Sequence, residues 1–213
     1  MEKVKDKSTI WKSKIISILL IFIFLVGCSA DKSSEEIKAV VCLEKNNHKL
    51  WNFDITYDEY KENIKGILDE SSINKDEEVV FGYNDKKYYG KDLIGVDMDA
   101  MKKYKEDFFT RFKLFDLSTL KVEIKITDVY NNEQTNDKEV FTVVKQTANT
   151  INDIFTTYII SKYSFEKIDG DWLIYKVEKI NYDNDKMIEI YNADCFNYDN
   201  IDVEFIKKIN PLN

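Results

Sequence analysis

Proline occurs once in these 213 residues, at Pro211, and glycine six times. Breakers this scarce exclude a loop-dominated chain and point to long regular elements. Histidine also occurs once, at His48. A lone histidine cannot build a His-rich metal site, and set in an expected turn it reads as a surface residue rather than a relay base. The chain carries no P-loop, no G-x-S-x-G and no H-E-x-x-H, so those routes to phosphate, acyl and zinc chemistry are excluded. Long apolar runs are missing too. The longest stretch, Ile15 to Val26, falls well short of the roughly 20 apolar residues that span a bilayer.

That short run has an informative setting. Ahead of it stand Lys3, Lys5, Lys7, Lys12 and Lys14, and behind it Leu25-Val-Gly-Cys28. A basic n-region, an apolar h-region and a small residue before the cut make a secretory signal peptide. The rivals are a retained membrane helix and an ordinary signal cut near Ala30. Leu25-Val-Gly-Cys28 resembles the lipobox of bacterial lipoproteins. The resemblance implies that Cys28 becomes the mature N-terminus and carries a diacylglyceryl group on its thiol. Acyl burial yields about 0.8 kcal/mol per methylene, so two chains anchor durably where one is marginal. The expected organisation is a signal peptide over 1–27, a lipidated tether over 28–36 and a single α+β domain over 37–213. The tether from Ser29 to Glu36 is small and polar and reaches roughly 25–29 Å when extended. The expected location is the extracytoplasmic face of the cell membrane. The bias to Lys, Asn, Ile, Asp and Tyr resembles that of AT-rich Gram-positive proteins.

Residues 1–27 hold five of the 31 Lys and Arg and two of the 39 Asp and Glu, which leaves 26 basic against 37 acidic residues and a net charge of −11. Nucleic acid is excluded as a partner, because phosphate contacts need clustered Lys and Arg. Anionic lipid would repel the domain as well, so the lipid on Cys28 must supply the membrane attachment. With Cys28 modified, Cys42 and Cys195 remain. An exported protein permits a disulfide between them, worth roughly 4–5 kcal/mol in the chain-entropy model. The alternative is two unpaired thiols.

Lys38–Leu43 and Lys49–Ile55 are apolar-rich runs around a polar Glu44–His48 segment, which suggests a hairpin, although Ile37–Leu43 also suits a helix. Thr56-Tyr-Asp-Glu59 matches a capping box and opens a helix expected from about Tyr57 to Asp69. Gly66 weakens that helix by about 1 kcal/mol relative to Ala. Val79–Phe81 and Lys87–Tyr89 predict a short hairpin. Asp97 is the expected N-cap of a longer helix, whose stripe Met98, Met101, Tyr104, Phe108, Phe112 and Phe115 reads as core.

From Leu120 the period changes to two. Leu120–Ile126, Glu139–Thr147, Ile154–Ile168 and Asp171–Tyr182 are expected strands, and Asp169-Gly170 is a two-residue hairpin turn. A short helix is expected near Asn200–Ile209. The fold class is α+β, a long helix on one face of a curved antiparallel sheet of about four strands, with a hairpin-and-helix elaboration before it.

The segment Tyr163-Ser-Phe-Glu-Lys-Ile-Asp-Gly-Asp-Trp-Leu-Ile-Tyr-Lys-Val177 resembles the last hairpin of nuclear-transport-factor-two-like (NTF2-like) and cystatin-like domains, and the resemblance covers about 97–182. It implies a sheet wrapped around a helix, leaving a cone-shaped pocket. Some enzymes of that superfamily move a proton with Asp and Tyr, but no position here matches a motif for that role.

Acidic groups are the remaining candidates. Asp97 and Asp99 fit a helix start. Asp183 with Asp185, and the cluster Asp194, Asn197, Asp199, Asn200, Asp202 and Glu204, lack the spacing of a calcium loop and read as solvated. No catalytic, metal or cofactor residue is assigned. The expected function is a non-enzymatic binding or assembly module, taking a small apolar ligand or an envelope protein. The alternatives are a proton-transfer enzyme of the same fold and a transporter accessory subunit. A desolvated carboxylate in a deep pocket would favour the enzyme.

Overall fold

A computed structural model describes residues 33–83, 86–112, 114–133 and 135–212. The expected signal peptide, Cys28 and most of the tether lie outside the described residues. Residues Ser34–Asn213 form one compact unit, α+β in class, whose described residues include four α-helices and a strongly curled antiparallel sheet.

Helix α1 spans Glu35–Trp51. It corrects the hairpin expected over Lys38–Ile55 and makes the last residues of the expected tether helical. Ser34 caps it by accepting a hydrogen bond from the Ile37 N–H at 3.3 Å, and Glu35 and Glu36 sit at the positive end of its dipole. Ile37, Val40, Leu43 and Leu50 are buried on one side. Short apolar runs around a polar stretch hid this periodicity. Glu44 and Asn46, which suggested a turn, point inward and are buried.

Helix α2 spans Tyr57–Asn63 and has the expected capping box: Glu59 accepts from the Thr56 N–H at 2.8 Å, and Thr56 Oγ1 accepts from the Glu59 N–H at 3.1 Å. It stops six residues before Asp69. Gly66 takes φ +72°, which turns the chain so that Leu68 bridges to Ile174. Two backbone bonds at 2.9 Å, Ile174 N–H to Ile67 O and Asp69 N–H to Ile174 O, fix the segment to the sheet. Strands β1 (Val79–Tyr83) and β2 (Lys86–Tyr89) form the expected hairpin.

Helix α3, Met98–Arg111, starts at Asp97, whose carboxylate accepts from the Asp99 and Ala100 N–H groups. It is shorter than the expected long helix, and its buried face is rotated. Met98, Lys105 and Phe109 are buried, whereas Tyr104 is 39 % and Phe112 47 % exposed. The inward side therefore includes a lysine, which no apolar stripe predicts.

The remaining strands are β3 (Asp116–Thr127), β4 (Tyr130–Asn132), β5 (Asp137–Asn149), β6 (Ile154–Ile168), β7 (Asp171–Ile180), β8 (Cys195–Tyr198) and β9 (Ile201–Ile209). Their order is β7-β6-β5-β3-β9-β8, antiparallel throughout, with β4 also on β5. The sheet is larger than the four strands expected, because Ile201–Ile209 is a strand pairing with β3 rather than a short helix. Between β6 and β7, Asp169 and Gly170 both adopt positive φ, the geometry of a tight hairpin turn.

Strand alternation sorts side chains to two faces. Val122, Ile124, Ile126, Val140, Val144, Tyr163 and Phe165 join α1 and α2 in the main core. Phe141, Val143 and Ile160 face the other way and pack with Ile190 and Tyr191 of helix α4 (Asn184–Asn192) and with Phe196 and Val203. Both faces are therefore covered, whereas one was expected. On the second face Tyr191 Oη donates to Glu123 at 2.5 Å, and Lys125 Nζ donates to Ala193 O at 2.8 Å. Among the described residues no helix is long and apolar enough to cross a membrane.

Candidate ligand pocket

Helical spacing places Glu44, Asn47, His48 and Trp51 on one side of α1, facing the sheet across a half-open cleft of about 620 Å3. Tyr57 and Tyr60 of α2 and Lys75, Glu78, Val79 and Val80 close a second wall. The floor comes from the sheet. Register sets Val144 beside Ile159, Ser161 beside Lys179 and Tyr163 beside Val177.

Glu44 is the centre of this arrangement. It is only 5 % exposed. Tyr163 Oη donates to its Oε1 at 2.5 Å, and Thr142 Oγ1 donates to the same oxygen at 3.1 Å. No hydrogen bond from the described residues reaches Oε2, and His48 Nε2 lies 3.8 Å from it. Burial pushes the Glu44 carboxyl above its usual range, against the pull of the two hydroxyls and of the Lys75 and Lys179 charges. Burial and the Glu44 charge push the Tyr163 phenol well up. Burial, helped by the Lys105 charge, pulls the His48 imidazole down to about 4. At neutral pH His48 is therefore neutral, and its approach to Glu44 is not an ion pair.

The other polar groups are held in place. Tyr60 Oη donates to Asn47 Oδ1 at 2.8 Å, Tyr57 Oη donates to Asp76 at 2.7 Å, and Lys75 pairs with Glu78 at 2.7 Å. Burial raises both tyrosine phenols. Behind Trp51 lies Lys105, which donates to the Trp51 carbonyl and sits over the indole. Burial drags its ammonium down to about 6.

The expected surface histidine thus lines the cleft and is half-buried. Cys42 does not pair with it: the Cys42 thiol lies 3.5 Å from the Asn63 carbonyl. Cys42 and Cys195 are both free, the first on α1 and half-buried, the second opening β8 and exposed. The candidate disulfide is therefore not formed. Asp97 and Asp183 are helix caps. Among the described residues no group of three or more His, Cys, Asp or Glu is arranged to hold a metal. Trp172 packs against the main core, with Lys138 Nζ 4.3 Å from its ring centre.

The cleft mixes apolar and aromatic walls with charged and polar groups, among which Glu44 is buried, and its concave form is that of a small-molecule site. Sequence reasoning missed Glu44, Thr142 and Tyr163. The only available signal was the i, i+4 spacing of Glu44 and His48, which has meaning only once 35–51 is taken as one helix. Comparison with protein-family models, curated proteins and solved structures finds no match for this chain.

Proposed function

We propose that this chain is a lipid-anchored extracytoplasmic lipoprotein whose domain is a non-enzymatic binding module for a small organic ligand. The observation that carries the binding half is the cleft of about 620 Å3 converging on buried Glu44. Its volume suits a metabolite-sized molecule. The anchoring half rests on Leu25-Val-Gly-Cys28 behind a basic, apolar leader. The curled sheet lying across from α1 is compatible with the cone of NTF2-like and cystatin-like domains, with α1 in the role expected of the Met98 helix.

Two measurements test the reading. Palmitate labelling in the producing cell is expected to mark the wild type and not Cys28→Ser, which is released or stays an unprocessed precursor. A Cys28→Ser protein of mature size that still partitions fully with membranes overturns the anchor. Ligand-observed NMR with a fragment set is expected to give binders that are lost when Gln146→Trp fills the cleft. An identical binder list for both proteins overturns the pocket as the site.

The same carboxylate favours a second reading. A desolvated Glu beside a tyrosine has the environment of a general acid–base group. An enzyme converts what it binds. Mass spectrometry of bound ligands after incubation separates the two, because a pure binding module returns them unchanged.

A further inference from the structure

We propose that Glu44 Oε2 is the anchor for the ammonium head of an organic amine, whose apolar body lies along Trp51, Val144, Ile159 and Val177. This rests on the cleft being a ligand site and names the chemistry of its ligand.

The argument begins with the two carboxylate oxygens. Oε1 accepts from Tyr163 Oη at 2.5 Å and Thr142 Oγ1 at 3.1 Å, and its lone pairs are used. Oε2 receives no hydrogen bond from the described residues, although the side chain is more than nine-tenths buried. Yet no buried side-chain oxygen or nitrogen among the described residues is sealed away without a partner. Oε2 is therefore open to the cleft that Glu44 lines. The two hydroxyl donors on Oε1 favour the ionised carboxylate while burial disfavours it, so half of an anion's hydrogen-bond shell is built and the half that would offset the burial is left vacant. An ammonium supplies both missing things at once: N–H donors for Oε2 and a counter-charge for a desolvated anion. A neutral hydroxyl supplies the donor without the charge, and a carboxylate supplies neither.

The charged groups around the site leave room for that cation. From α1, His48 is neutral at pH 7. From the segment before β1, Lys75 pairs with Glu78 at 2.7 Å, and its remaining pull on Glu44 comes without a hydrogen bond. From β7, Lys179 lies exposed on the cleft wall. From α2 and β6, Tyr57, Tyr60 and Tyr163 hold their protons well above the usual range. Glu44 is the one buried carboxylate that the cleft presents.

The test uses three near-isosteric probes, isoamylamine, isoamyl alcohol and isovalerate, against the full-length protein in phosphatidylcholine nanodiscs, with empty nanodiscs as the blank. Calorimetry at pH 7 is expected to show the amine binding about tenfold or more tighter than either other probe, the scale of one charge-assisted hydrogen bond. Glu44→Gln is expected to remove that preference. In the wild type, affinity for the amine is expected to rise as pH climbs through the titration of Glu44, and binding to release a proton to buffer below that point. These wild-type readouts need no variant to fold. Equal binding of all three probes, or a preference for isovalerate, overturns the ammonium assignment and leaves the small-ligand reading standing. Binding of none of them at roughly 10 mM overturns both.

Discussion

Tyr163 Oη reaches Glu44 Oε1 at 2.5 Å across 119 positions of sequence, tying the middle of β6 to the middle of α1. The bond joins helix and sheet at a buried carboxylate, and Thr142 on β5 completes it. The same contact thus holds α1 on the sheet and shapes the end of the cleft.

Glu44 sets one limb of the pH dependence of stability. Its folded value lies above the usual carboxyl range because burial disfavours the anion. The folded state therefore holds the proton more tightly than the unfolded state between the two values. Stability from this group is present in full below the unfolded value, and is lost as pH rises through the folded one. Urea unfolding of Glu44→Gln should show that decline flattened. Tyr163→Phe removes a donor to the anion and should make the decline larger, with a loss of about 1–3 kcal/mol above the folded value. A Tyr163→Phe profile that superimposes on the wild type would show that the bond contributes nothing.

Lys105 acts in the opposite sense. Burial lowers its ammonium to about 6, so from there up to the ordinary lysine value the unfolded chain binds the extra proton. Stability rises with pH through that window, by at most about 1.4 kcal/mol per pH unit, and is lost as pH falls towards 6. Lys105→Met should flatten the slope between pH 6 and 10. It also leaves the Trp51 carbonyl without its donor, so the gain near neutrality is partly offset by about 1–3 kcal/mol. Guanidinium titrations at three pH values measure both effects. An unchanged slope in the variant rules Lys105 out as its source.

The two cases also show why the strands were legible and the site was not. Period-two alternation from Leu120, and the Asp169-Gly170 turn, depend on neighbours in sequence, and β3, β6 and β7 lie close to their expected positions. The capping signals at Thr56 and Asp97 are local in the same way. The cleft depends on pairs far apart in the chain. Nothing near Glu44 announces that Tyr163 and Thr142 will cover it, and nothing near Lys105 announces Trp51. Buried polar residues break the apolar pattern used to find a buried face. Reading Glu44–His48 as a turn and Tyr104 as core are two results of that one cause. The strand Ile201–Ile209 was missed for a different reason: Ile201, Val203 and Phe205 alternate with Asp202 and Glu204, but Ile206 and Lys207 break the alternation, and its partner β3 lies far back in the chain.

Gly90 should be the least tolerant glycine in the domain. A Cβ built there collides with the Lys75 carbonyl and the Tyr57 hydroxyl, one of them backbone and the other held by Asp76. Gly90→Ala is expected to destabilise by about 1–3 kcal/mol through overpacking. Because Tyr57 and Lys75 both line the cleft, the same change should weaken ligand binding. Gly66→Ala has open space around its Cβ and pays for the positive φ alone, without disturbing the cleft. Thermal melts and probe titration of the two variants side by side separate backbone strain from damage to the wall. Equal ligand affinity in both would detach Gly90 from the cleft.

The thiols give the last test. Cys195 is exposed on β8, and Cys42 is half-buried on α1 beside Asn46 and the Asn63 carbonyl. Both are free, so the native protein should react with a thiol reagent in two phases. Cys195 reacts fast, and Cys42 reacts at a rate set by opening of the α1–α2 contact. Under denaturation without reductant both should titrate at once. Cys195→Ser should remove the fast phase and leave the melting temperature within the range of ordinary surface changes. Cys42→Ser should remove the slow phase. A slow phase that tracks urea concentration with the same slope as global unfolding would place Cys42 in the most stable part of the domain. A shallower slope assigns its exposure to local release of α2, the helix that carries Tyr57 and Tyr60 into the cleft.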